Sequence, residues 1–408
     1  MPLSLSKPTA RHVGWSAAVN QNWTDVETYV NSRRLPKGYA LGLLVRYASA
    51  TTCTIGVGSC RSSDDVRDIS LSSQVTVDIT TTGANGLDEE TLSGTGSTDG
   101  SSTLTGSGTS FLTAFGTRDL TGTISSSGTT VTGTSTKFLS EVSVDDLIGN
   151  SSKGYYRITA IASDTSLTIA SAPGSAFSSE AAKCVENPTV SAGSDKRRVN
   201  TITSDTALTA TTAFSNGGAG QTVKAGVEPS VDSWFAAWVI SGGSGTAGFL
   251  STQRTTLLNP PSGYDLAARR IGWLRNSTDL LASYQVGAEE ERDVIWEIAN
   301  AANGTQVLTA GNSSGAWTDV VCSSVAPPTA RQLLAVSRLN EPTATTSIYY
   351  RERALGVSTV TRNHAHISAA NDDDTQGVVL QLDGAQAFQY SGGGGYADVF
   401  AVGYRDTL

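Results

Sequence analysis

The stretch LTGSGTSFLTAFGTRDL, residues 104–120, aligns without a gap with VTGTSTKFLSEVSVDDL, residues 131–147. The second copy continues into RITAIASDTSLT at 157–168, whereas the matching continuation of the first, RVNTITSDTALT, stands at 198–209. The pattern therefore predicts nesting: one small β-unit, 94–120 with about 183–215, interrupted by an inner copy at 122–177. Loop insertions are tolerated because closure entropy grows slowly with length. A tandem array with one decayed member is the alternative.

The two repeats also contain residues that are typical of β-turns. Ser-Asp-Thr at 163–165 and at 204–206 predicts a hairpin turn in each copy, with the aspartate bonding its own backbone. The wider composition agrees, since only 16% of residues are charged and 42 of 408 are glycine. Thr and Val pack well on pleated sheets and lose side-chain freedom in helices. We expect an all-β chain of several β-sandwich or jelly-roll-like domains.

The strand signals divide the chain into four parts. Residues 39–93 and 225–292 are predicted to form one split β-domain, and 94–224 the insert that projects sideways from it. Residues 293–408 contain several short apolar runs at near-regular spacing, which predicts a C-terminal β-sandwich. Residues 1–38 form a separate N-terminal segment.

One short helix is predicted in that N-terminal segment, at 15–31. Its apolar residues recur at helical spacing: Val19, Trp23, Val26 and Val30. This stripe either packs on its own domain or packs against copies of itself around a symmetry axis, and two heptads do not decide between these.

Charge and cysteine usage limit the classes of partner and cofactor. The formal net charge is −9 with a pI near 4.9, which disfavours binding to nucleic acid or to an anionic membrane surface. No apolar run is long enough for a spanning helix, and the N-terminus lacks signal-peptide layout, so we expect folding in a cytoplasm. Four cysteines match no zinc or disulfide framework. Buried thiols are expected, and a bridge between Cys53 and Cys60 stays open.

Several runs resemble virion proteins of tailed bacteriophages. Residues 51–61, 75–79 with 83–88, 234–240, and 261–265 with 270–275 are similar to a module of tail and head fibres. The insert is similar to a small virion β-module, and residues 7–25 are similar to fibre N-termini. The resemblance implies a homotrimeric fibre or appendage, attached to other virion proteins by its N-terminal segment. It further implies host attachment through a surface glycan or protein, and a location in the virion after assembly in the host cytoplasm.

Few residues are candidates for a catalytic or a metal-binding site. Asp372–Asp374 and Glu289–Glu291 are consecutive acidic runs, whose side chains point apart rather than across one bond, so no catalytic residue is predicted. His364 and His366 share a strand face and could bind a transition metal in a trimer, with two surface histidines as the simpler interpretation. Asn371–Asp374 lacks the EF-hand spacing. No metal or other cofactor is predicted.

Aromatic side chains near the C-terminus leave two interpretations open. They form either a sugar-stacking surface or, as is commoner, the core of a sandwich: Trp296, Trp317, Tyr349, Tyr350, Phe388 and Tyr390. The first functional hypothesis is a trimeric phage tail fibre or appendage. The alternative is a capsid or neck decoration protein, and the third is a polysaccharide-degrading enzyme.

Overall fold

A computed structural model of the protein describes residues 39–215, 217–226, 233–255, 257, 260–276, 282–287, 291–297, 305–311, 315–341, 346–353, 362–367, 372–392 and 396–407. The predicted helix at 15–31 and the whole N-terminal segment lie outside these residues. Strands account for 61% and helices for 3% of the structure, so the fold is all-β, as predicted.

Two groups of strands, on either side of the insert, build the body of the protein. The first group is β1 Ala40–Gly42, β2 Val45–Tyr47, β3 Thr52–Ile55, β4 Gly58–Arg61, β5 Asp68–Leu71 and β6 Val75–Asp78. The second group is β21 Ser233–Gly242, β22 Gly245–Ser251, β23 Ala267–Asn276, β24 Ser283–Val286, β25 Glu291–Trp296, β26 Thr305–Gly311, β27 Thr318–Val321, β28 Ala330–Glu341, β29 Thr346–Glu352, β30 Arg362–Ile367, β31 Asp372–Gln381, β32 Ala387–Gly392 and β33 Tyr396–Thr407.

The central layer of the body is the three-stranded sheet β22-β21-β23. Alternate residues of β21 point to opposite faces, and both faces are covered. One face joins the larger core cluster, through Trp234, Ala236, Trp238 and Ile240. The other joins the core formed with the first strand group, through Phe235, Ala237 and Val239. Because both faces are buried, the sequence of β21 is a continuous apolar run and does not alternate between apolar and polar residues.

A nine-stranded sheet joins the two predicted body domains. Its order is β31-β28-β33-β25-β24-β2-β3-β6, with β26 also paired to β33. The predicted boundary between residues 292 and 293 is therefore wrong, because it falls inside β25 and the sheet continues across it. The physical reason is long-range pairing: the final strand lies between β25 and β28, and local sequence patterns carry no signal for such a partner.

The insert contains the remaining fourteen strands and the two described helices. Its first part is β7 Glu90–Thr91, β8 Thr95–Thr98, β9 Thr103–Ser107 and α1 Phe111–Phe115. Its middle part is β10 Arg118–Ser127, β11 Thr130–Thr134, α2 Phe138–Glu141, β12 Leu147–Asn150, β13 Gly154–Ser163, β14 Ser166–Ile169 and β15 Glu180–Val185. Its last part is β16 Thr189–Ala192, β17 Asp195–Ser204, β18 Ala207–Ala210, β19 Gly218–Gln221 and β20 Val223–Ala225.

The middle part closes into a ring of six strands, the inner barrel. Its pairings run β10-β11-β14-β13-β12-β15 and back to β10. The sixth strand, β15, lies beyond residue 177, so the inner unit spans 118–185 rather than the predicted 122–177. Weak resemblance between the copies at this strand explains the short prediction.

The first and last parts of the insert form a second ring, the outer barrel. Its pairings run β8-β9-β18-β17-β16-β20, and β19, which directly precedes β20, returns to β8. The order matches that of the inner barrel strand for strand. Residues 103–105 thus pair with 207–209, on the other side of the inner barrel in the sequence. The two barrels are joined where β13 pairs with β17.

The repeated Ser-Asp-Thr segments have a role that the sequence did not predict. The carboxylate of Asp164 accepts a hydrogen bond from the Leu139 amide, 3.0 Å, at the start of α2. Asp205 accepts one from the Leu112 amide, 2.9 Å, at the start of α1. Each aspartate therefore caps the Phe-Leu helix of its own barrel, and the bond within the turn is made instead by the preceding serine.

The inner barrel is packed against the body, so it does not project sideways. Ala385, in the loop between β31 and β32, is 5% exposed and belongs to the inner barrel's core. At the neighbouring Gly384 an added Cβ would lie 1.3 Å from the carbonyl oxygen of Leu139. Arg353 donates a hydrogen bond to the carbonyl of Ile161, 3.0 Å. These contacts define the junction between the inner barrel and the body.

Candidate binding face

The predicted metal and acidic candidates are only partly described. The backbones of His364 and His366 lie in β30, opposite Ile348 and Ser347, and their side chains lie outside the described part of the chain. Asp372–Asp374 open β31, and their side chains also lie outside the described part of the chain. Of the other acidic run, Glu291 begins β25, and Glu289, Glu290 and Asn371 are not among the described residues. Within the described ranges, no group of three or more His, Cys, Asp or Glu residues could hold a metal ion.

All four cysteines are free and buried. No disulfide joins Cys53 to Cys60, so the bridge that the sequence left open is not formed: the two face different partners, Tyr47 and Val77 in one case and Ala40 and Ile69 in the other. Burial raises the pKa of Cys53, Cys60 and Cys322 to about 12, and that of Cys184 well above its usual value. These thiols remain protonated at neutral pH, which is the behaviour of structural cysteines.

The C-terminal aromatic residues divide between core and surface. Four of the six predicted candidates are buried in the larger core cluster: Trp296, Tyr350, Phe388 and Tyr390. Trp317 is half-buried and Tyr349 is 36% exposed. The core interpretation thus holds for most of these rings, whereas Trp317 and Tyr349 belong to the opposite face of the same sheet.

That opposite face belongs to the four-stranded sheet β27-β32-β29-β30. Strand register, extended by one residue to Trp317 and to Arg353, places seven side chains in three rows: Trp317 and Tyr349, then Asp319, Gln389 and Arg351, then Val321 and Arg353. These seven residues are called the outer face below. The alternating inward residues, Val320, Ile348, Tyr350 and Phe388, are buried. The sheet is therefore amphipathic, and its core side fixes the position of every residue on the outer face.

A chain of polar contacts runs across the outer face. The Arg351 Nε donates to Gln389 Oε1, 2.7 Å, and the Gln389 Nε2 donates to Asp319 Oδ1, 2.7 Å. Asp319 in turn pairs with Arg353, 3.3 Å, and Arg353 with Asp383, 2.6 Å. Such a network holds each planar group in one orientation before any ligand arrives.

The aromatic end of the outer face is ordered by stacking. The guanidinium carbon of Arg351 lies 4.1 Å from the centre of the Trp317 ring, a cation–π contact. The Trp317 indole is consequently held in place by a residue that also belongs to the polar chain. Ring surfaces beside fixed donors and acceptors are what binding of a hydroxyl-rich ligand requires.

A signal for this face was present in the sequence. The segments Trp317-Thr-Asp-Val-Val321 and Tyr349-Tyr-Arg-Glu-Arg353 each place a charged residue two positions after an aromatic one, the period of a strand face. Tyr349 and Tyr350 are consecutive residues of a strand, so their side chains lie on opposite faces of the sheet. Separating Tyr349 from Tyr350 would have divided the rings correctly.

Beside the junction lies a cluster of buried charges. Arg254 donates to both carboxylate oxygens of Asp146 in the inner barrel, one of them at 2.6 Å. The Asp146 side chain is 1% exposed and that of Arg254 is 6% exposed. Glu186 accepts from the Arg254 amide, 2.7 Å. Although burial alone would raise the pKa of Glu186, the Arg254 charge and hydrogen bonds from Thr255 and Arg254 hold that pKa below its usual value.

One cleft, of about 160 Å³, lies beside this charge cluster and is lined by Asp145, Arg198, Arg254, Trp234 and Trp273 among others. Arg198 and Arg254 already bind Asp145 and Asp146, so these two arginines serve the structure of the cluster. The other, of about 340 Å³, lies beneath Tyr264, over the buried Trp238. Neither cleft contains residues of the outer face.

Comparisons with known proteins do not assign the chain to a family. Among the described residues, no helix is long and apolar enough to cross a membrane. No protein-family model matches the sequence, and no curated protein matches it.

Proposed function

We propose that this protein is a structural subunit of a tailed-phage particle, a homotrimeric tail fibre or appendage that attaches the virion to the host surface. The observation that carries the proposal is the outer face, an exposed and preordered set of rings and planar polar groups on a rigid sheet. The resemblance of the body and insert to phage virion modules supports the same function.

Two further features fit an adhesive rather than a reactive role. Burial keeps all four thiols protonated, and the outer face joins its charged groups to one another instead of leaving a general base beside a nucleophile. The N-terminal segment would attach the subunit to other virion proteins. Close packing between copies is favoured by small Ser, Thr and Gly side chains, which are abundant in the chain.

The test is binding of fluorescently labelled full-length protein to a panel of bacterial strains, measured by flow cytometry. We expect saturable binding to at least one strain, reduced in Tyr349→Ala and retained in Tyr396→Ala, which removes a comparably exposed ring from a different sheet. Light scattering of the same protein is expected to give the mass of a trimer.

Binding to purified phage capsids with no binding to any strain would overturn the proposal and favour a decoration protein. A monomeric mass for the full chain would contradict the trimeric fibre.

A further inference from the structure

We infer that the outer face binds an uncharged stretch of polysaccharide, lying along the strands and spanning two to three sugar rings. The inference rests on the proposed attachment function and adds the chemical class of the receptor. It is argued from three properties of the face: its charge balance, the arrangement of its donors and acceptors, and its length.

Among the described residues, the charges on and beside the outer face cancel. Arg351 and Arg353 are balanced by Asp319 and Asp383, and the Arg353 guanidinium lies between the two carboxylates. A face without net charge has no Coulombic attraction for an acidic polymer, and the formal charge of −9 on the whole chain repels one. A neutral glycan avoids this repulsion.

The polar groups alternate between donors and acceptors, as sugar hydroxyls do. Gln389 accepts from Arg351 and donates to Asp319, so the orientation of its amide is fixed by two neighbours. Hydroxyl groups donate and accept together, and they match such a surface without requiring a charge.

The apolar part of a sugar ring requires an aromatic platform, which lies at one end of the face. Tyr349 is 36% exposed, and Trp317 is held by Arg351 at 4.1 Å. Between them lies Ser391, 7% exposed, on the central strand. A sugar ring stacked on Tyr349 would lie next to Arg351, the neighbouring residue on the same face of β29.

The length of the face sets the length of the ligand. From the row of Trp317 to the row of Val321 is four residues of strand, about 13 Å at the usual rise, which accommodates roughly two or three linked sugar rings. Val321, 57% exposed, closes the far row with an apolar surface. In the same row Arg353 donates to the inner barrel, which ends the face on that side.

The decisive experiment is isothermal titration of the full-length protein with neutral and acidic oligosaccharides, preceded by a glycan array to select them. We expect a neutral oligosaccharide of two or more rings to bind, with a Kd that changes less than twofold between 50 and 500 mM NaCl. Tyr349→Ala and Gln389→Ala are each expected to weaken Kd about tenfold. Tyr396→Ala, the matched control, is expected to leave it unchanged.

The outcomes separate this inference from the proposed function. Cell binding that is abolished by protease but not by periodate oxidation of sugar diols would overturn the glycan while preserving attachment. Tight, salt-dependent binding of acidic glycans would overturn the charge argument. Conversion of the trimer to a monomer by Tyr349→Ala would show that a second copy of this chain occupies the face, which also overturns the inference.

Discussion

Replacing Arg254 with methionine should strongly destabilise the protein, because the change leaves a buried carboxylate without its counter-charge. Asp146 is 1% exposed on its side chain and loses two guanidinium hydrogen bonds. Breaking one side of a buried pair costs about 3–5 kcal/mol. Asp146 keeps the backbone amides of Ser143 and Asn187 as donors, at 2.8 and 3.1 Å, so we expect about 3 kcal/mol, the lower end of that range.

The measurement is urea unfolding followed by tryptophan fluorescence, since Trp234 and Trp273 line the neighbouring cleft. The matched control is Lys183→Met, which breaks an inner-barrel pair whose side chains are 41% and 83% exposed and should cost less than about 1 kcal/mol. Adding Asp146→Asn to Arg254→Met removes the stranded charge and should restore part of the loss. If Arg254→Met costs no more than the Lys183 control, the reasoning about burial is refuted.

Three further outcomes follow from the described contacts. Burial raises the pKa of Asp88 to about 6, above its unfolded value. The buried carboxyl therefore does not lower the free energy of unfolding below about pH 4, where it is protonated, but its ionisation lowers that free energy as pH rises through 6. Asp88→Asn should therefore stabilise the protein by up to about 3 kcal/mol at pH 8 and by little at pH 4, as measured by urea unfolding at both values. Gly384→Ala should cost about 2 kcal/mol or more and increase hydrogen exchange in α2, whereas Gly377→Ala, where an added Cβ meets nothing within 4 Å, should cost under about 0.5 kcal/mol. In the native state no cysteine should react with a thiol reagent at pH 8, whereas all four should react after denaturation. Fast reaction of the native protein would contradict their burial.

The nested units of the insert could be predicted from the sequence because the constraints on their motifs are local. The Thr-Gly, Phe-Leu and Ser-Asp-Thr motifs lie where one tight structure needs them: at Gly106 an added Cβ would lie 1.9 Å from the Thr109 hydroxyl, and at Gly133 equally close to that of Thr136. Because these constraints act within a few residues or across one hairpin, they repeat visibly. The role of Asp205 was misassigned because its partner, Leu112, is 93 residues away.

The body was harder to predict because its pairings are long-range. The sheet that contains β2 and β3 is completed by β24, β25 and β33, more than two hundred residues later in the chain. Periodicity indicates that these are strands but carries no information on their neighbours. The outer face was missed for a related reason, since its rows exist only once the register of β27, β32 and β29 is known.

The insert is held to the body at three described places: where the chain enters and leaves it, at the Arg254–Asp146 pair, and at the junction, which also bears on the outer face. At the first, the chain enters and leaves side by side: an added Cβ at Gly226 would lie 1.8 Å from the carbonyl oxygen of Asp88. Adjacent ends alone would leave the barrels free to swing about that point. The junction at Gly384 and Ala385 removes this freedom. Because Arg353 both ends the outer face and donates to the inner barrel, docking of the insert also fixes the polar chain that the ligand would contact. The nested barrels therefore brace the outer face, and under the proposed function this would give the insertion a mechanical role in attachment.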